Sequence, residues 1–238
     1  YYSRGWRAAI TPDEAGAWFA AYTTMMVKYA RLAAETGVEM LCIGVEYAVA
    51  TQPKYAQGWE RVIDSVRAVF PGKLTYAANW SPAFSMKKSE LEHIPFWSRL
   101  DYIGIDFYSG LTTGEVIAAP SYADAYAQMV ARTARIEKAA RRVGRKVILT
   151  EVGIQSVRGA LAAPYDYARG NTLGAIPDNT VQELYYRAVL DAFGQKKWCA
   201  GFFWWNWESI PTATQATNYT VEGKPAAALL KRYYEVFL

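Results

Sequence analysis

The sequence has 238 residues, 52% of them hydrophobic and 20% charged, with a formal net charge of +4. These values fit one sizeable globular core, and the absence of any apolar run of about 18 residues predicts no membrane span. The Lys and Arg residues are scattered, so no nucleic-acid partner is predicted. One histidine and two cysteines exclude a histidine-rich metal centre and a disulfide framework. Aromatic residues reach 15%, an excess that suits stacking against sugar faces.

Predicted strands and helices alternate along the chain. The first helix is expected to begin at the segment 11–14, where Thr11 would cap, Pro12 takes the first position and Glu14 follows three residues after the cap, and to end at Gly37. The single histidine, His93, falls in a polar connection and is predicted at the surface. Strands are predicted at 40–45, 73–78, 102–105, 147–150 and 201–205, and further helices at 59–70, 122–143, 180–194 and 225–237.

This order of elements predicts an α/β fold with parallel strands. Each return to a parallel strand needs a crossover, and short strands that are apolar throughout are typical of a sheet buried on both faces. Polar or aromatic residues follow each strand at its carboxyl end, which is the rim where a (β/α)₈ barrel forms its active site. The rival is an open doubly wound sheet, but the glycine-rich phosphate loop that usually follows its first strand does not occur.

Two glutamates, Glu46 and Glu151, each directly follow an apolar strand. Retaining glycoside hydrolysis uses two carboxyl groups roughly 5–5.5 Å apart, one to attack the anomeric carbon and one to protonate the leaving oxygen. The alternative interpretation is a pair of ordinary loop acids bound to Arg or Lys. Two such strand ends, both flanked by aromatic residues, favour the catalytic interpretation.

Five segments at the predicted strand ends share a recognisable pattern. They are 41–46 (LCIGVE), 74–80 (LTYAANW), 101–108 (DYIGIDFY), 149–156 (LTEVGIQS) and 201–207 (GFFWWNW). These segments resemble glycoside hydrolase family 113, a group of β-mannanase-like enzymes within the large superfamily of retaining (β/α)₈ barrels. The resemblance extends over nearly the whole chain, with the segments in the expected order.

The resemblance implies a role for each strand end. Glu46 would close barrel strand four as the acid/base, and Glu151 would close strand seven as the nucleophile. Tyr108 would donate a hydrogen bond to the nucleophile, and Trp205 and Trp207 would form the floor of a sugar subsite. Strand alternation sends Trp204 and Asn206 to the opposite face, where one of the two sets must pack as core. The predicted substrate-binding residues are Tyr47, Asn79, Trp80, Tyr108, Trp205 and Trp207.

The resemblance also implies the reaction, hydrolysis of a β-linked hexose polysaccharide or oligosaccharide, above all β-1,4-mannan, with no metal and no cofactor. The predicted strands correspond to barrel strands four to eight, so residues 1–238 are expected to form a single, partial barrel domain. Residues 1–10 would be the loop after strand three, where Trp6 and Arg7 resemble a substrate-side segment. Five strands cannot close an eight-stranded barrel, so upstream residues or another chain would supply the first three.

Two other functions stay open at the level of sequence. A non-catalytic carbohydrate-binding or assembly module could use the same fold, as in barrels of phage-tail type, because fold alone does not determine function. A different barrel enzyme, such as a lyase or an isomerase, would need a Lys, His or metal cluster at the strand ends, and the sequence shows none.

Overall fold

The computed structural model describes residues 5–84, 86–113, 119–210, 212 and 214–237. The first four residues of the predicted loop 1–10 lie outside this range. None of the helices in these residues is long and apolar enough to cross a membrane. The strands are β1 (Met40–Val45), β2 (Lys73–Asn79), β3 (Tyr102–Phe107), β4 (Lys146–Val152) and β5 (Cys199–Trp204). The helices are α1 (Ala15–Glu35), α2 (Ala56–Arg67), α3 (Glu90–His93), α4 (Tyr122–Val143), α5 (Asn179–Phe193) and α6 (Pro225–Phe237).

The five strands form a sheet in the order β1-β2-β3-β4-β5, which is also their order in the chain. β2 pairs in parallel with β1 and with β3, and Asn79 at the end of β2 is in register with Asp106. A register shift between Cys42 and Val45 marks a bulge at the end of β1, directly before Glu46. The predicted α/β fold with parallel strands is confirmed.

By packing, the chain divides into two compact units. The first unit comprises Tyr1–Asp106 and Lys138–Ile148, and the second comprises Phe107–Glu137 and Leu149–Leu238. The prediction of one domain over residues 1–238 stays a prediction.

The core of the first unit is built around Trp59 on α2, which is fully buried. Its indole ring makes edge contacts with Phe19 and Tyr22 from α1 and with Tyr76 from β2, and it stacks on Phe96. A gap in the helix surface at Gly58 admits the Phe19 ring, because a β-carbon at this position would lie 2.4 Å from the ring. This aromatic packing anchors the first two strands, whose ends carry Glu46 and Asn79.

The core of the second unit is dominated by α5. Its buried face presents Tyr185, Tyr186 and Phe193. The Tyr186 ring stacks on Trp204 of β5 with 4.3 Å between centroids, and the Phe193 ring meets Phe107 edge-on. These contacts pack α5 against the carboxyl ends of β3 and β5, which directly precede the candidate site residues Tyr108 and Trp205.

Three predicted helix starts and one predicted surface residue are corrected. α2 begins at Ala56 rather than at Trp59. α1 begins at Ala15 rather than at Pro12, and Thr11 donates to the carbonyl oxygen of Ala9 instead of capping the helix. α5 begins at Asn179 rather than at Thr180, and it is capped by the Asp178 carboxylate, which accepts from two backbone N–H groups of the first turn. His93 is half-buried at the end of α3, with its Nε2 3.1 Å from the Thr51 hydroxyl oxygen.

Candidate active site

Glu46 follows the bulge at the end of β1 and is buried. Its backbone takes a left-handed conformation, with φ of +49°, while its N–H still donates to the carbonyl oxygen of Ala77 on β2. Arg7 Nη2 lies 2.9 Å from Oε2, and Asn79 Nδ2 lies 2.8 Å from Oε1. Each carboxyl oxygen therefore has its own donor, and the orientation of the carboxylate is determined from both sides.

Asn79 is fully buried at the end of β2. Its side-chain oxygen accepts from the backbone N–H and the hydroxyl group of Ser81, so the amide nitrogen is directed at Glu46. Trp80, the next residue, is half-buried. Asn79 thus contacts the candidate acid/base directly, and its predicted contact with substrate stays a prediction, as does that of Trp80.

Tyr47 packs into the core. Its ring is buried and meets Trp18, Tyr22 and Trp59, while its backbone N–H donates to the Tyr76 hydroxyl at 2.7 Å. A ring buried in this way is unavailable for stacking on a sugar face. Its predicted role in substrate binding stays a prediction.

Glu90, on α3, is a buried carboxyl group that the sequence did not single out. Its Oε1 accepts from the Tyr76 hydroxyl at 2.7 Å and the Thr51 hydroxyl at 3.0 Å, and its Oε2 accepts from the Asn79 backbone N–H at 2.8 Å. Burial raises the pKa of Glu90 to about 7 against the opposing effect of these hydrogen bonds, and the negative charge of Glu46 raises it further. Only the resemblance to a capping box, Ser89-x-x-Glu92, marks this segment in the sequence.

Glu151 lies near the end of β4 and is half-buried. The Tyr108 hydroxyl donates to its Oε2 at 2.8 Å, the contact that the family resemblance implies. Tyr108 itself is buried and meets the Tyr219 ring edge-on. Just beyond Glu151, a β-carbon on Gly153 would lie 2.0 Å from the Trp205 carbonyl oxygen, so a glycine is needed for the backbones to approach.

The tryptophans at the end of β5 and directly after it differ in their exposure to solvent. Trp205 is 44% exposed and Trp207 is 61% exposed, whereas Trp204 stacks on Tyr186 and donates through Nε1 to the Tyr234 hydroxyl. The packed ring is therefore Trp204, and the two rings open to solvent are those expected at the sugar subsite. Their contact with substrate stays a prediction.

Each unit holds one candidate catalytic carboxylate with its own donors. The distance between the carboxyl groups of Glu46 and Glu151 stays a prediction. Within the described part of the chain, no group of three or more His, Cys, Asp or Glu residues could hold a metal ion. The first unit contributes Arg7, Glu46, Tyr47, Asn79, Trp80 and Glu90, and the second contributes Tyr108, Glu151, Trp205 and Trp207.

A sequence profile of Glycoside Hydrolase Family 113 matches residues 4–224. The chain belongs to glycoside hydrolase family 113. This confirms the resemblance that the strand ends carry, and it identifies the chain as a glycoside hydrolase with a fold of (β/α)₈-barrel type. A search of curated proteins gives no match.

Solved structures of family 113 are similar along almost the whole chain. A GH113 β-mannanase from Alicyclobacillus acidocaldarius, in complex with ManMIm, superposes with a TM-score of 0.79 at 25% identity, covering 98% of this chain and 69% of its own. A GH113 β-1,4-mannanase gives 0.77 at 23% identity, covering 97% and 69%. A β-glucuronidase from Ruminococcus gnavus shares the fold alone, with a TM-score of 0.65 at 12% identity over 95% of this chain and 38% of its own.

Proposed function

We propose that this family 113 protein hydrolyses β-1,4-linked mannan or manno-oligosaccharides with retention of configuration. Glu46 is the proposed acid/base and Glu151 the proposed nucleophile. Family membership supports a glycoside hydrolase, and the mannanase activity named for two similar structures supports the choice of mannan. Retention and the residue roles rest on the two strand-end carboxylates.

The observation that carries the proposal is that each of the two strand-end carboxylates is held by at least one side-chain donor. Tyr108 holds Oε2 of Glu151, which leaves Oε1 as the atom proposed to attack. Asn79 and Arg7 hold the two oxygens of Glu46 in a fixed orientation, as proton transfer to a leaving oxygen requires.

The proposed reaction proceeds in two displacements. In the first, Glu151 forms a bond to the anomeric carbon, the glycosidic C–O bond breaks, and the departing oxygen takes the proton of Glu46. In the second, water attacks the same carbon, Glu46 takes a proton from that water, and the bond to Glu151 breaks. The exposed rings of Trp205 and Trp207 are proposed to stack on sugar rings.

The test compares two carboxylate variants with two exposed controls. Glu151→Gln should reduce turnover of mannan at least a thousandfold, roughly the effect of losing a catalytic nucleophile, and keep mannan binding, because the amide preserves shape and loses the attacking charge. Glu46→Gln should lose turnover of mannan but retain first-step turnover of aryl mannosides whose leaving groups need no proton. Glu60→Gln and Glu222→Gln, at exposed positions in the two units, should leave both activities unchanged.

The products and the range of substrates decide between the proposal and its rivals. NMR of the first product formed should show the β-anomer, and inversion would contradict the mechanism. Turnover of glucan or galactan but not mannan would keep the mechanism and reject the substrate. Binding of glycans without turnover of any would favour the non-catalytic module.

A further inference from the structure

Glu90 is a buried carboxyl group that contacts the residues around the candidate acid/base. It accepts from the backbone N–H of Asn79, whose side chain donates to Glu46, and it accepts from the Tyr76 hydroxyl, which in turn accepts from the N–H of Tyr47. Two hydrogen-bonded paths therefore lead from one carboxylate to Glu46 and to the residue that follows it. A glutamate that is 1% exposed and fully bonded inside the protein has no role in solubility.

The charges around Glu46 oppose one another. Arg7 bonds Oε2 directly, and its positive charge favours the ionised carboxylate. The proposed first displacement needs the protonated acid instead. The negative charge of Glu46 raises the pKa of Glu90, and by the same interaction an ionised Glu90 favours the protonated form of Glu46. At pH values where Glu90 is ionised, its charge therefore opposes the effect of Arg7.

We propose that Glu90 is a positioning residue for the acid/base, holding Glu46 through Asn79 and offsetting the positive charge of Arg7. The inference rests on the proposed role of Glu46. Glu90 touches no substrate in this role and acts only through its neighbours.

The titratable groups around Glu46 and Glu90 come from several elements. Glu90 faces Tyr76 from β2 and, through Thr51, the half-buried His93, whose pKa burial lowers. Asp106 of β3 is a further buried carboxyl group, in register with Asn79. Lys88 and Glu92 act electrostatically on His93. Among the described hydrogen bonds, one from Arg7 reaches Glu46 directly, and Glu90 is linked to Glu46 through Asn79.

The first test is the pH profile of kcat/KM on mannan. Glu90→Gln should move the alkaline limb to lower pH by about one unit, because removing a nearby negative charge makes the acid/base easier to ionise. Arg7→Met should move the same limb to higher pH. Thr51→Val, which removes one donor to the ionised Glu90, should shift it in the same direction as Glu90→Gln but less. Glu60→Gln, on the exposed face of α2, should not move it.

The second test separates proton donation from general damage. For an aryl mannoside whose leaving group needs no proton, kcat/KM of Glu90→Gln should stay within about twofold of wild type, whereas for mannan at pH 8 it should fall about tenfold. An equal loss on both substrates at every pH would show a merely structural role and overturn the inference. Thr51→Val supplies the same comparison if Glu90→Gln does not fold.

A third measurement does not depend on activity. The carboxyl carbon of Glu46, assigned in the ¹³C NMR spectrum by its loss in Glu46→Gln, should titrate at lower pH in Glu90→Gln than in the wild type. That shift in a protein without activity on any glycan would support the link between the two carboxylates and reject the proposed function. An unchanged titration in an active enzyme would reject the link and keep the function.

Discussion

Among single residues, Glu46 has an unusual backbone. A non-glycine residue in the left-handed region costs roughly 1–2 kcal/mol, and such conformations persist only where the surroundings hold them. Here the bulge at the end of β1 and the bond from the Glu46 N–H to Ala77 hold the backbone in this conformation. The position is therefore strained at the residue that the proposed mechanism needs most.

This strain predicts an inverted order of stability for two small substitutions. Glycine is normally less favourable than alanine, but at φ of +49° Glu46→Gly should be more stable than Glu46→Ala by about 1 kcal/mol. Both variants lose the bonds to Arg7 and Asn79, so the difference isolates the backbone. Urea unfolding measures it, and an alanine variant as stable as the glycine variant would contradict the strain.

Tyr108 offers a second test at the scale of the residue. Tyr108→Phe removes the hydroxyl that donates to Glu151 and leaves the buried ring in place. We expect kcat/KM on mannan to fall about 10- to 100-fold, because one charge-assisted hydrogen bond contributes about 1.5–3 kcal/mol. Tyr167→Phe, at an exposed ring, is the matched control and should change nothing. An unaffected Tyr108→Phe enzyme would remove this tyrosine from the mechanism.

At the scale of elements, the contact between α1 and α2 depends on a missing side chain. Gly58→Ala must displace the Phe19 ring, so we expect a loss of about 1–3 kcal/mol despite the better helix propensity of alanine. Gly16→Ala, on α1 with open space around it, should gain about 0.5 kcal/mol. Chemical unfolding of both variants tests this, and two stabilised variants would show that Phe19 repacks freely.

The five strands and the longer helices were predictable from sequence, and their ends less so, whereas the short helix α3 was not predicted. Apolar runs between turn signals gave all five strands, since short apolar strands with polar ends repeat along the chain. The structure extends β3 to Phe107 and β4 to Val152, so Asp106 and Glu151 lie inside the strands rather than after them. A cap depends on local dihedral angles, which explains why Thr11 matched the cap pattern and yet lies outside the helix.

The two strand-end glutamates were also predictable, and the family resemblance implied the bond from Tyr108 to Glu151. The links from Arg7 and Glu90 to Glu46 were not predictable. Arg7 reaches Glu46 from 39 residues away in the chain, and no periodic pattern links them. Glu90 sits in a polar segment whose composition is typical of an exposed helix start. The ring of Tyr47 packs into the aromatic core, a contact that no sequence pattern indicated, and the predicted contact of Tyr47 with substrate stays a prediction.

For the whole molecule, the buried carboxyl group of Glu90 and the half-buried ring of His93 make stability depend on pH. The folded state raises the pKa of Glu90 from 4.5 to about 7, so between these values the folded protein binds a proton that the unfolded chain has lost. Stability must then fall as pH rises through this window. His93 has the opposite sign, because burial lowers its pKa and the unfolded chain binds the extra proton below about 6.5. Only a comparison of variants separates the two effects.

Glu90→Gln should remove the loss of stability with rising pH that Glu90 causes, and it should keep the gain in stability with rising pH that His93 causes. From pH 4.5 to pH 7.5, the unfolding free energy of Glu90→Gln should therefore rise by about 3 kcal/mol relative to that of the wild type. This figure follows from the rise in the pKa of Glu90 from 4.5 in the unfolded chain to about 7 in the folded protein. Urea unfolding at half-unit pH intervals measures this difference, with Glu60→Gln as the exposed control. A constant difference across the window would mean that Glu90 ionises in the folded protein as it does in the unfolded chain.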